Sequence, residues 1–333
     1  MDSTAPTTPC EIRRSRRDDT IPFIKVPAAR VGVTGKIEEI SRRNRAKGRA
    51  TLEGLVVDGR YRLNFLIGRG GMSVVYLARC LETGRHVAIK FLRPELVDRS
   101  PYRQRFVNEI EAIRRIRHPV IVRMFDLGEL EDGQIYLVME YVRGPSLKRI
   151  LERGHLPLQQ LLPIASAVAD GLDAAHAHGV VHRDLKPGNV LVPRLPDAGV
   201  AAKIVDFGIA RIDGFPKITN TAEVVGTPLY LSPEQALGYS VDHRADVYCF
   251  GVMLYEACTG QRMFDGRDPQ LLLRKHVRVV PGRMAERRPD LVIPRALDDL
   301  VMRCLEKSPG RRPQSMREIA AALQVIASRE QYN

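Results

Sequence analysis

The 333-residue sequence lacks a long apolar run, since no stretch reaches the ~18 residues that a transmembrane helix needs. An apolar stretch at residues 161–181 is interrupted by Pro163, Asp170 and Asp173. The arginines at residues 13–17 are not followed by the apolar segment of an export signal. We therefore expect a cytoplasmic protein without a membrane span.

Cysteine is also scarce, and the five cysteines show no metal-site spacing. Their odd number and the length of the chain argue against a disulfide framework. Reduced thiols with a structural role are the expected state. The sequence also contains no internal repeat. The fold must therefore rest on an apolar core, which a hydrophobic content of 44% supports.

Acidic residues are outnumbered by basic ones, and the net charge is +13. Such a charge can indicate nucleic-acid binding when it is concentrated on one element. Here it is spread along the chain, with +4 in residues 1–58 and +9 in the remainder. We interpret the protein as diffusely basic and do not expect nucleic acid as a partner.

Residues 1–58 differ in composition from the rest of the chain. Proline, threonine and arginine dominate the first thirty residues, and residues 42–49 form a basic cluster. Residues 36–43 could form a short helix. This polarity predicts a flexible basic extension. A docking or autoregulatory segment is the alternative, and DNA binding by residues 1–58 is a further one.

From Tyr61 onward the pattern becomes regular. The residues Phe106, Ile110, Ile113 and Ile116 recur at helical spacing and predict one amphipathic helix at about residues 102–117. Apolar segments bounded by turn residues predict strands at 61–67, 74–79, 86–92, 120–127 and 135–141. After residue 144 the pattern is mainly helical. The sequence therefore predicts an α+β fold in which a small antiparallel β-sheet lobe with one key helix precedes a larger, mainly helical lobe.

A glycine-rich loop at residues 68–73 joins the first two predicted strands. Glycine lets the backbone approach a polyphosphate and present N–H groups to it, although a glycine hairpin alone is more often only a turn. Lys90 ends the apolar strand and needs a partner, because an unpaired buried ammonium is costly. Glu109 lies near the apolar face of the predicted helix, whereas Glu111 points to solvent. A purely structural Lys90–Glu109 ion pair would make the same contact.

The segment from His182 to Asn189 concentrates polar chemistry in one short loop. Asp184 can accept a hydroxyl proton or orient an attacking oxygen, and Lys186 can reach a transferred phosphate. Asn189 and Asp206 offer oxygen ligands to a hard cation. A lone aspartate is usually a helix cap or a turn residue. The whole set in this order is not explained in that way.

The order of these motifs resembles the eukaryotic-like (Hanks-type) serine/threonine protein kinases, most closely their bacterial branch, over residues 61–329. The resemblance implies a two-lobed protein kinase fold at 59–333, with the N-terminal lobe and hinge at 59–143 and the C-terminal lobe at 144–333. The segments that carry it are the glycine loop, Val87–Lys90, His182–Asn189, Asp206–Gly208, Ser232–Glu234, Asp246–Gly251, and Arg312 at the position of an arginine that pairs with Glu234.

The resemblance also assigns roles to the residues of the site. Lys90 is expected to hold the α and β phosphates of ATP, steadied by Glu109. Asp184 is the expected catalytic base, and Asn189 and Asp206 are the expected ligands of Mg²⁺, with Mn²⁺ as an alternative. The residues expected to line the rest of the ATP site are Ile67, Gly68, Arg69, Gly70, Gly71, Met72, Ser73, Val75, Ala88, Met139, Glu140, Val142 and Leu191.

The type of acceptor follows from two segments that resemble the serine/threonine branch. One is Lys186 in the catalytic loop, and the other is residues 226–228, in which the Thr227 hydroxyl is expected to bridge Asp184 and Lys186. The expected activity is therefore that of a non-specific serine/threonine protein kinase, with ATP and proteins bearing serine or threonine as its partners.

Arg183 occupies the position at which family members bind a phosphorylated activation loop. Thr219 and Thr221 lie in that loop and are the predicted sites of autophosphorylation, with a transient homodimer as the reacting species. Because the chain ends after the kinase lobe, we expect the activating input to come from a partner, from residues 1–58 or from dimerisation.

Two features depart from the usual pattern of the family. Residues 193–202 lengthen a connection and predict a longer surface hairpin, and Pro163 predicts either a kink or the first turn of a helix.

Two rival functions share many of these residues. A pseudokinase scaffold is the first rival, although such proteins usually lack one of the key charged residues. A small-molecule phosphotransferase is the second, but such enzymes lack the segment at 226–234 that docks a peptide.

Overall fold

This computed structural model describes residues 52–70, 73–92, 100–130, 133–194, 201–207 and 228–330, with the backbone alone for residues 100–106 and Glu330. Some predictions therefore concern positions outside the described residues. These are the extension up to residue 51, its helix at 36–43, Gly71, Met72, Thr219, Thr221 and Thr227.

The sheet of the N-terminal lobe is antiparallel, as predicted, but it has six strands where the sequence predicts five, in the order β1-β2-β3-β4-β6-β5. Residues 52–58, which we expected in the extension, belong to this lobe, because β1 pairs with β2 and the Leu55 and Val57 side chains are buried. The strands are β1 (Val56–Val57), β2 (Tyr61–Arg69), β3 (Ser73–Cys80), β4 (His86–Leu92), β5 (Met124–Glu129) and β6 (Ile135–Glu140).

The fourth predicted strand, at residues 120–127, begins later than expected. Residues 120 and 122 instead form backbone hydrogen bonds with Ile204 in the other lobe, at N···O distances of 2.7 and 3.0 Å. The apolar run is continuous in sequence, but its first part crosses between the lobes. Contact with β6 begins at Arg123, whose carbonyl accepts the Glu140 N–H at 2.9 Å, and the strand pairing continues from Met124 onward.

One helix, α1 (Ser100–Arg115), packs beside the sheet and is close to the predicted 102–117. Its Ile110 and Ile113 side chains are buried, and Ile116 is buried just beyond its end. Glu109 adjoins this apolar face and is partly buried, whereas its neighbour Asn108 is exposed. The helical period thus directs one carboxylate toward the cleft between the lobes.

The C-terminal lobe is mainly helical, as predicted. Its centre is a helix from Arg244 to Thr259 that is buried on nearly every side, as expected for a helix that is apolar all round. The elements are α2 (Leu147–Leu151), α3 (Leu158–Ala177), a 3₁₀ turn (Pro187–Asn189), β7 (Val190–Leu191), β8 (Lys203–Ile204), α4 (Pro233–Leu237), α5 (Arg244–Thr259), α6 (Pro269–Arg278), α7 (Met284–Arg287), α8 (Arg295–Cys304), a second 3₁₀ turn (Pro309–Arg311) and α9 (Met316–Glu330).

Two local predictions in this lobe can now be compared with the structure. Strands β7 and β8 pair antiparallel and bound the predicted hairpin, although residues 195–200 of its connection lie outside the described residues. Pro163 lies in the second turn of α3 and so does not mark the first turn of that helix.

The four described cysteines are buried and none forms a disulfide, which agrees with reduced structural thiols. Burial raises the pKa of the Cys258 and Cys304 thiols to about 12. The described helices include none with the length and apolarity to cross a membrane. Within the same residues no cluster of three or more histidine, cysteine or acidic side chains could hold a metal ion alone.

Candidate active site

Helix α5 anchors the loop that contains Asp184 through one buried carboxylate, that of Asp246. Its Oδ2 accepts the His182 N–H at 2.7 Å, and its Oδ1 accepts the Arg183 N–H at 2.8 Å. The His176 Nε2 lies 2.8 Å from Oδ2. Burial alone would raise the pKa of Asp246, but the hydrogen bonds and the nearby histidines outweigh it and lower that pKa. The loop backbone is therefore fixed by an ionised group.

Asp246 begins one of the segments that carry the family resemblance, but the sequence predicts no role for it in the site. A carboxylate within an otherwise apolar helix needs hydrogen-bond donors, and this need for buried donors can be inferred from the sequence. What the sequence did not show was which backbone groups supply them. Arg183 has a φ of 61°, so the loop backbone passes through the left-handed region as it turns around Asp246.

His182 links the loop to the segment before Phe207. Its Nδ1 accepts the Asp184 N–H at 3.3 Å, and its Nε2 donates to the Val205 carbonyl at 3.2 Å. The ring lies 4.6 Å from the ring of Phe207, centroid to centroid. Burial lowers the pKa of His182. Together with one accepting and one donating nitrogen, this indicates a neutral imidazole that serves as a spacer.

The Asp184 carboxylate is held in place by two neighbours from its own loop. Its Oδ2 accepts hydrogen bonds from Lys186 Nζ at 2.6 Å and from Asn189 Nδ2 at 3.1 Å. Asn189 Nδ2 also donates to the Asp184 backbone carbonyl at 2.8 Å. The predicted base, the predicted phosphate-binding lysine and the predicted metal ligand are thus brought together.

The donor set fits a hard divalent cation. Because the Asn189 amide nitrogen is committed to Asp184, its Oδ1 faces away and receives no hydrogen bond from any described residue. Asp206 has a φ of 56°, and its Oδ1 is 3.0 Å from Lys90 Nζ. Its Oδ2 receives no hydrogen bond within the described parts of the chain. One amide oxygen and one carboxylate oxygen, supplemented by phosphate oxygens, are a usual ligand set for Mg²⁺.

The expected ion pair between Lys90 and Glu109 is not formed in this structure. Lys90 pairs with Asp206, and Glu109 Oε1 accepts a hydrogen bond from Arg183 Nη1 at 3.0 Å. The side chains of both pairs are more than half buried. The structure thus brings these four side chains together between the lobes, but Lys90 and Glu109 bind other partners and not each other.

A small apolar cluster, separate from the cores of the two lobes, lies next to these charges. Of the residues predicted to line the ATP site it contains Val75, Ala88, Met139 and Val142. Sequence analysis missed its remaining members, Val122 and Val205. Val205 immediately precedes Asp206 and could have been found from that position. Val122 could not, because it belongs to the stretch that was assigned to a strand.

The hinge between the lobes follows β6 at Glu140. The Glu140 carboxylate is fixed by Lys203 of β8, at an Oε2···Nζ distance of 2.7 Å. The Val142 N–H has no hydrogen-bond partner in the part of the chain that the structure describes. Leu191, at the end of β7, is partly buried. A flat apolar slot with one unused backbone donor at its edge can bind a heteroaromatic ring.

The glycine loop joins β2 and β3 above this slot. The Gly70 N–H donates to the Ser73 carbonyl at 2.8 Å, which closes the described part of the hairpin. A Cβ at Gly68 would lie 3.6 Å from Val75, at ordinary contact distance. The Ile67 side chain is largely exposed. The described residues of the loop thus place backbone, rather than bulky side chains, at the roof of the cleft.

The segment from residue 228 onward is also anchored to the site. Gln235 Nε2 donates to the Arg183 carbonyl at 2.7 Å. The predicted Glu234–Arg312 ion pair is present and bidentate, with N···O distances of 2.7 and 2.9 Å. Helix α4 therefore connects the catalytic loop to the far end of the helical lobe.

This chain is similar in sequence to known protein kinases. The protein kinase domain family model matches residues 61–324. Serine/threonine-protein kinase pkn2 of Myxococcus xanthus is 42% identical over 274 residues, which cover 81% of this chain and 33% of that protein. Serine/threonine-protein kinase PknB of Mycobacterium leprae is 41% identical over 269 residues, covering 79% of this chain and 42% of that protein.

Solved structures show the same similarity. The crystal structure of the Mycobacterium tuberculosis PknI kinase domain matches with a TM-score of 0.65 and 29% identity, covering 83% of this chain and 98% of that chain. The first curated relatives are longer, and this chain spans about a third to a half of their length.

Proposed function

Because the chain belongs to the protein kinase family, in its bacterial serine/threonine branch, we propose that it transfers the γ-phosphate of ATP to serine and threonine hydroxyls of proteins. The observation that carries the proposal is the convergence of Asp184, Lys186, Asn189, Asp206 and Lys90 in one cleft. A pseudokinase scaffold would have no need to keep this set of charges together.

In this mechanism the protein positions groups and stabilises charge in a loose phosphoryl transition state. The Asp184 carboxylate, fixed by Lys186 and Asn189, accepts or orients the proton of the acceptor hydroxyl. Lys186 and Lys90 supply positive charge on either side of the phosphate chain. Asn189 and Asp206 hold a divalent metal ion, Mg²⁺ in this proposal, which neutralises phosphate charge.

ATP binds between the lobes, with its adenine in the apolar slot and its edge against the backbone of Glu140 and Val142. This assigns residues 59–143 to the N-terminal lobe and hinge and residues 144–333 to the C-terminal lobe, with the N-terminal lobe extended back to residue 52 and its sheet to Val56. We place the protein in the cytoplasm because that is where its proposed substrate, ATP, is found.

The observed ion pairs give activation-loop phosphorylation a physical consequence. A phosphate on Thr219 or Thr221 would add about −1.5 to −2 charges near Arg183. Arg183 now binds Glu109, and the phosphate would compete for the same guanidinium. Glu109 would then be released toward Lys90, which is the pairing that the resemblance implies for the active state.

The test is phosphate transfer from radiolabelled ATP to myelin basic protein and to the chain itself. Asp184→Asn is expected to lower kcat by about 10²–10⁴-fold. Asp265→Asn, at an exposed aspartate, is the matched control and should retain activity. In the active protein, phosphopeptide mass spectrometry should find phosphate on Thr219 or Thr221. Transfer by a transient homodimer predicts that the rate per molecule rises with protein concentration.

Each rival function predicts a different result. Equal, background-level transfer by the wild type and by Asp184→Asn would indicate a pseudokinase scaffold. Phosphorylation of a small alcohol without phosphorylation of any protein would indicate a small-molecule phosphotransferase. Full activity without phosphate on Thr219 or Thr221 would refute the proposed activation step alone.

A further inference from the structure

Beside the hinge lies an open cavity of about 580 Å³ that the proposed mechanism does not use. Its walls are the residues after β6, helix α2 and the residues after β7. Four arginines line it: Arg143, Arg149, Arg153 and Arg194. We call these four residues and the space between them the arginine pocket.

Backbone contacts build the walls of the arginine pocket. The Val192 N–H donates to the Pro145 carbonyl at 2.9 Å, and the Arg194 N–H donates to the Arg143 carbonyl at 3.1 Å. The two chain segments approach so closely at Gly144 that a Cβ there would lie 2.0 Å from the Val192 carbonyl oxygen. Arg143 and Arg194 are therefore held side by side by the main chain.

The opposite wall comes from helix α2 and the turn that follows it. Arg149 lies in α2, and the Arg153 N–H closes the next turn on the Ile150 carbonyl at 3.1 Å. Both arginines line the cavity and therefore face the same space, although Arg153 lies beyond the end of the helix. All four arginines of the pocket are exposed, and their guanidinium groups are accessible from solvent.

Among the residues that the structure describes, no acidic side chain lines the arginine pocket. None of its four guanidinium groups forms an ion pair or a side-chain hydrogen bond with a residue that the structure describes. Other described arginines form ion pairs with acidic side chains, such as Arg288 with Asp290 and Arg244 with Asp242. Glu152 is adjacent in sequence but does not line the cavity. Four like charges around one concave space create a field that attracts an anion.

The arginine pocket lies close to the catalytic loop. Val192 lies three residues after Asn189, and three residues of extended chain span about 10 Å. Helix α2 also contacts the 3₁₀ turn that contains Asn189. A peptide with its hydroxyl at Asp184 would thus reach the arginine pocket within about three residues, since an extended peptide covers the same distance.

We propose that the arginine pocket binds acidic side chains of the protein substrate, either carboxylates or a phosphate, about three residues from the phosphorylated hydroxyl. Guanidinium groups bind both carboxylate and phosphate oxygens with two parallel hydrogen bonds. This selectivity for acidic sequences rests on the proposed kinase function. The proposal concerns which protein substrates the kinase prefers, and not whether it transfers phosphate.

The probes are three synthetic peptides with one threonine acceptor and otherwise identical sequences. At the third position on either side of the threonine, the first peptide has glutamine, the second glutamate and the third phosphoserine. For the wild type we expect kcat/KM to be at least about threefold higher for glutamate than for glutamine, and higher again for phosphoserine. Raising the ionic strength should reduce both ratios.

The perturbation is the double variant Arg149→Gln/Arg153→Gln, at two exposed positions. It should lower the acidic-to-neutral ratio of kcat/KM by about three- to tenfold. The matched control is Arg62→Gln/Arg311→Gln, which removes the same charge at exposed arginines outside the cavity. This control should leave the ratio unchanged. Because the readout is a ratio, a general loss of activity does not imitate the effect.

Two outcomes would overturn the proposal. One is equal kcat/KM for the three peptides with the wild type. The other is an unchanged ratio in the Arg149→Gln/Arg153→Gln variant. If that variant also loses binding to a fluorescein-labelled single-stranded DNA, the arginine pocket is assigned to nucleic acid instead. Failure of the kinase function gives a separate signature, because no peptide would then be phosphorylated above the Asp184→Asn background.

Discussion

Replacing Glu234 with glutamine should destabilise the fold much more than replacing Glu318 with glutamine. Both glutamates accept an arginine at an N···O distance of 2.7 Å, from Arg312 and Arg303 respectively. The environments differ, because the Glu234 and Arg312 side chains are 10% and 0% exposed, whereas those of Glu318 and Arg303 are 42% and 56% exposed. The comparison therefore holds the shortest N···O distance and the residue types fixed, while it changes burial and the number of hydrogen bonds in the pair, which is two for Arg312 and Glu234 and one for Arg303 and Glu318.

The buried pair is part of a fully satisfied network. Arg312 places its Nη1 on Glu234 and on the Arg244 carbonyl, its Nη2 on Glu234 and on the Lys307 carbonyl, and its Nε on the Glu306 carbonyl. Glutamine would leave this cation buried without a counter-charge. Breaking a buried pair on one side costs about 3–5 kcal/mol, whereas an exposed pair contributes about 0.2–1 kcal/mol.

Thermal unfolding followed by circular dichroism measures the difference. For a domain of this size, 1 kcal/mol corresponds to about 2–4 °C in Tm. We expect Glu234→Gln to lower Tm by about 6–20 °C and Glu318→Gln by at most about 4 °C. Equal shifts in Tm for the two variants would refute the reasoning, because burial would then not control the strength of these ion pairs.

Two further predictions concern the catalytic loop and the pH dependence of stability. Asp246→Asn should lower kcat about tenfold or more with little change in the KM for ATP. The asparagine amide group would face the N–H of His182 or Arg183 and leave a buried donor unpaired. Steady-state kinetics measure both constants. Burial, with Lys307 nearby, lowers the pKa of His276 from 6.5 to about 4. The unfolded chain then binds the proton first, so stability present above pH 6.5 is lost as the pH falls toward 4, by up to about 3 kcal/mol. The Tm of a His276→Gln variant should fall less over this window, and parallel Tm profiles would contradict the assignment.

Much of the fold could be predicted because its signals are local. Apolar segments bounded by turn residues predict strands β2, β3 and β4, and the helical spacing of Ile110 and Ile113 predicts helix α1. Strand β5 could not be bounded in this way. Its apolar neighbours at 120–122 are equally suited to a strand, and only the approach of Ile204 from the other lobe decides their partner.

The contents of the site could be predicted more completely than its pairings. Asp184, Lys186 and Asn189 share one tight loop, so their mutual contacts follow from the short connection between them. Residues such as Asp246 and Val122 contribute from distant elements. Their place in the site depends on how those elements pack, which no single segment specifies.

The exchanged ion pairs show why the remaining contacts are not fixed by residue type. Lys90 and Asp206 are 116 residues apart, and Glu109 and Arg183 are 74 residues apart. Lys90 can meet either acid, and Glu109 can meet either base, with similar Coulomb energy at similar distance. Residue type therefore does not decide between the two pairings, which depend on how α1 packs against the helical lobe. In the proposed activation step, a phosphate on Thr219 or Thr221 competes for Arg183 and so favours the pairing of Glu109 with Lys90.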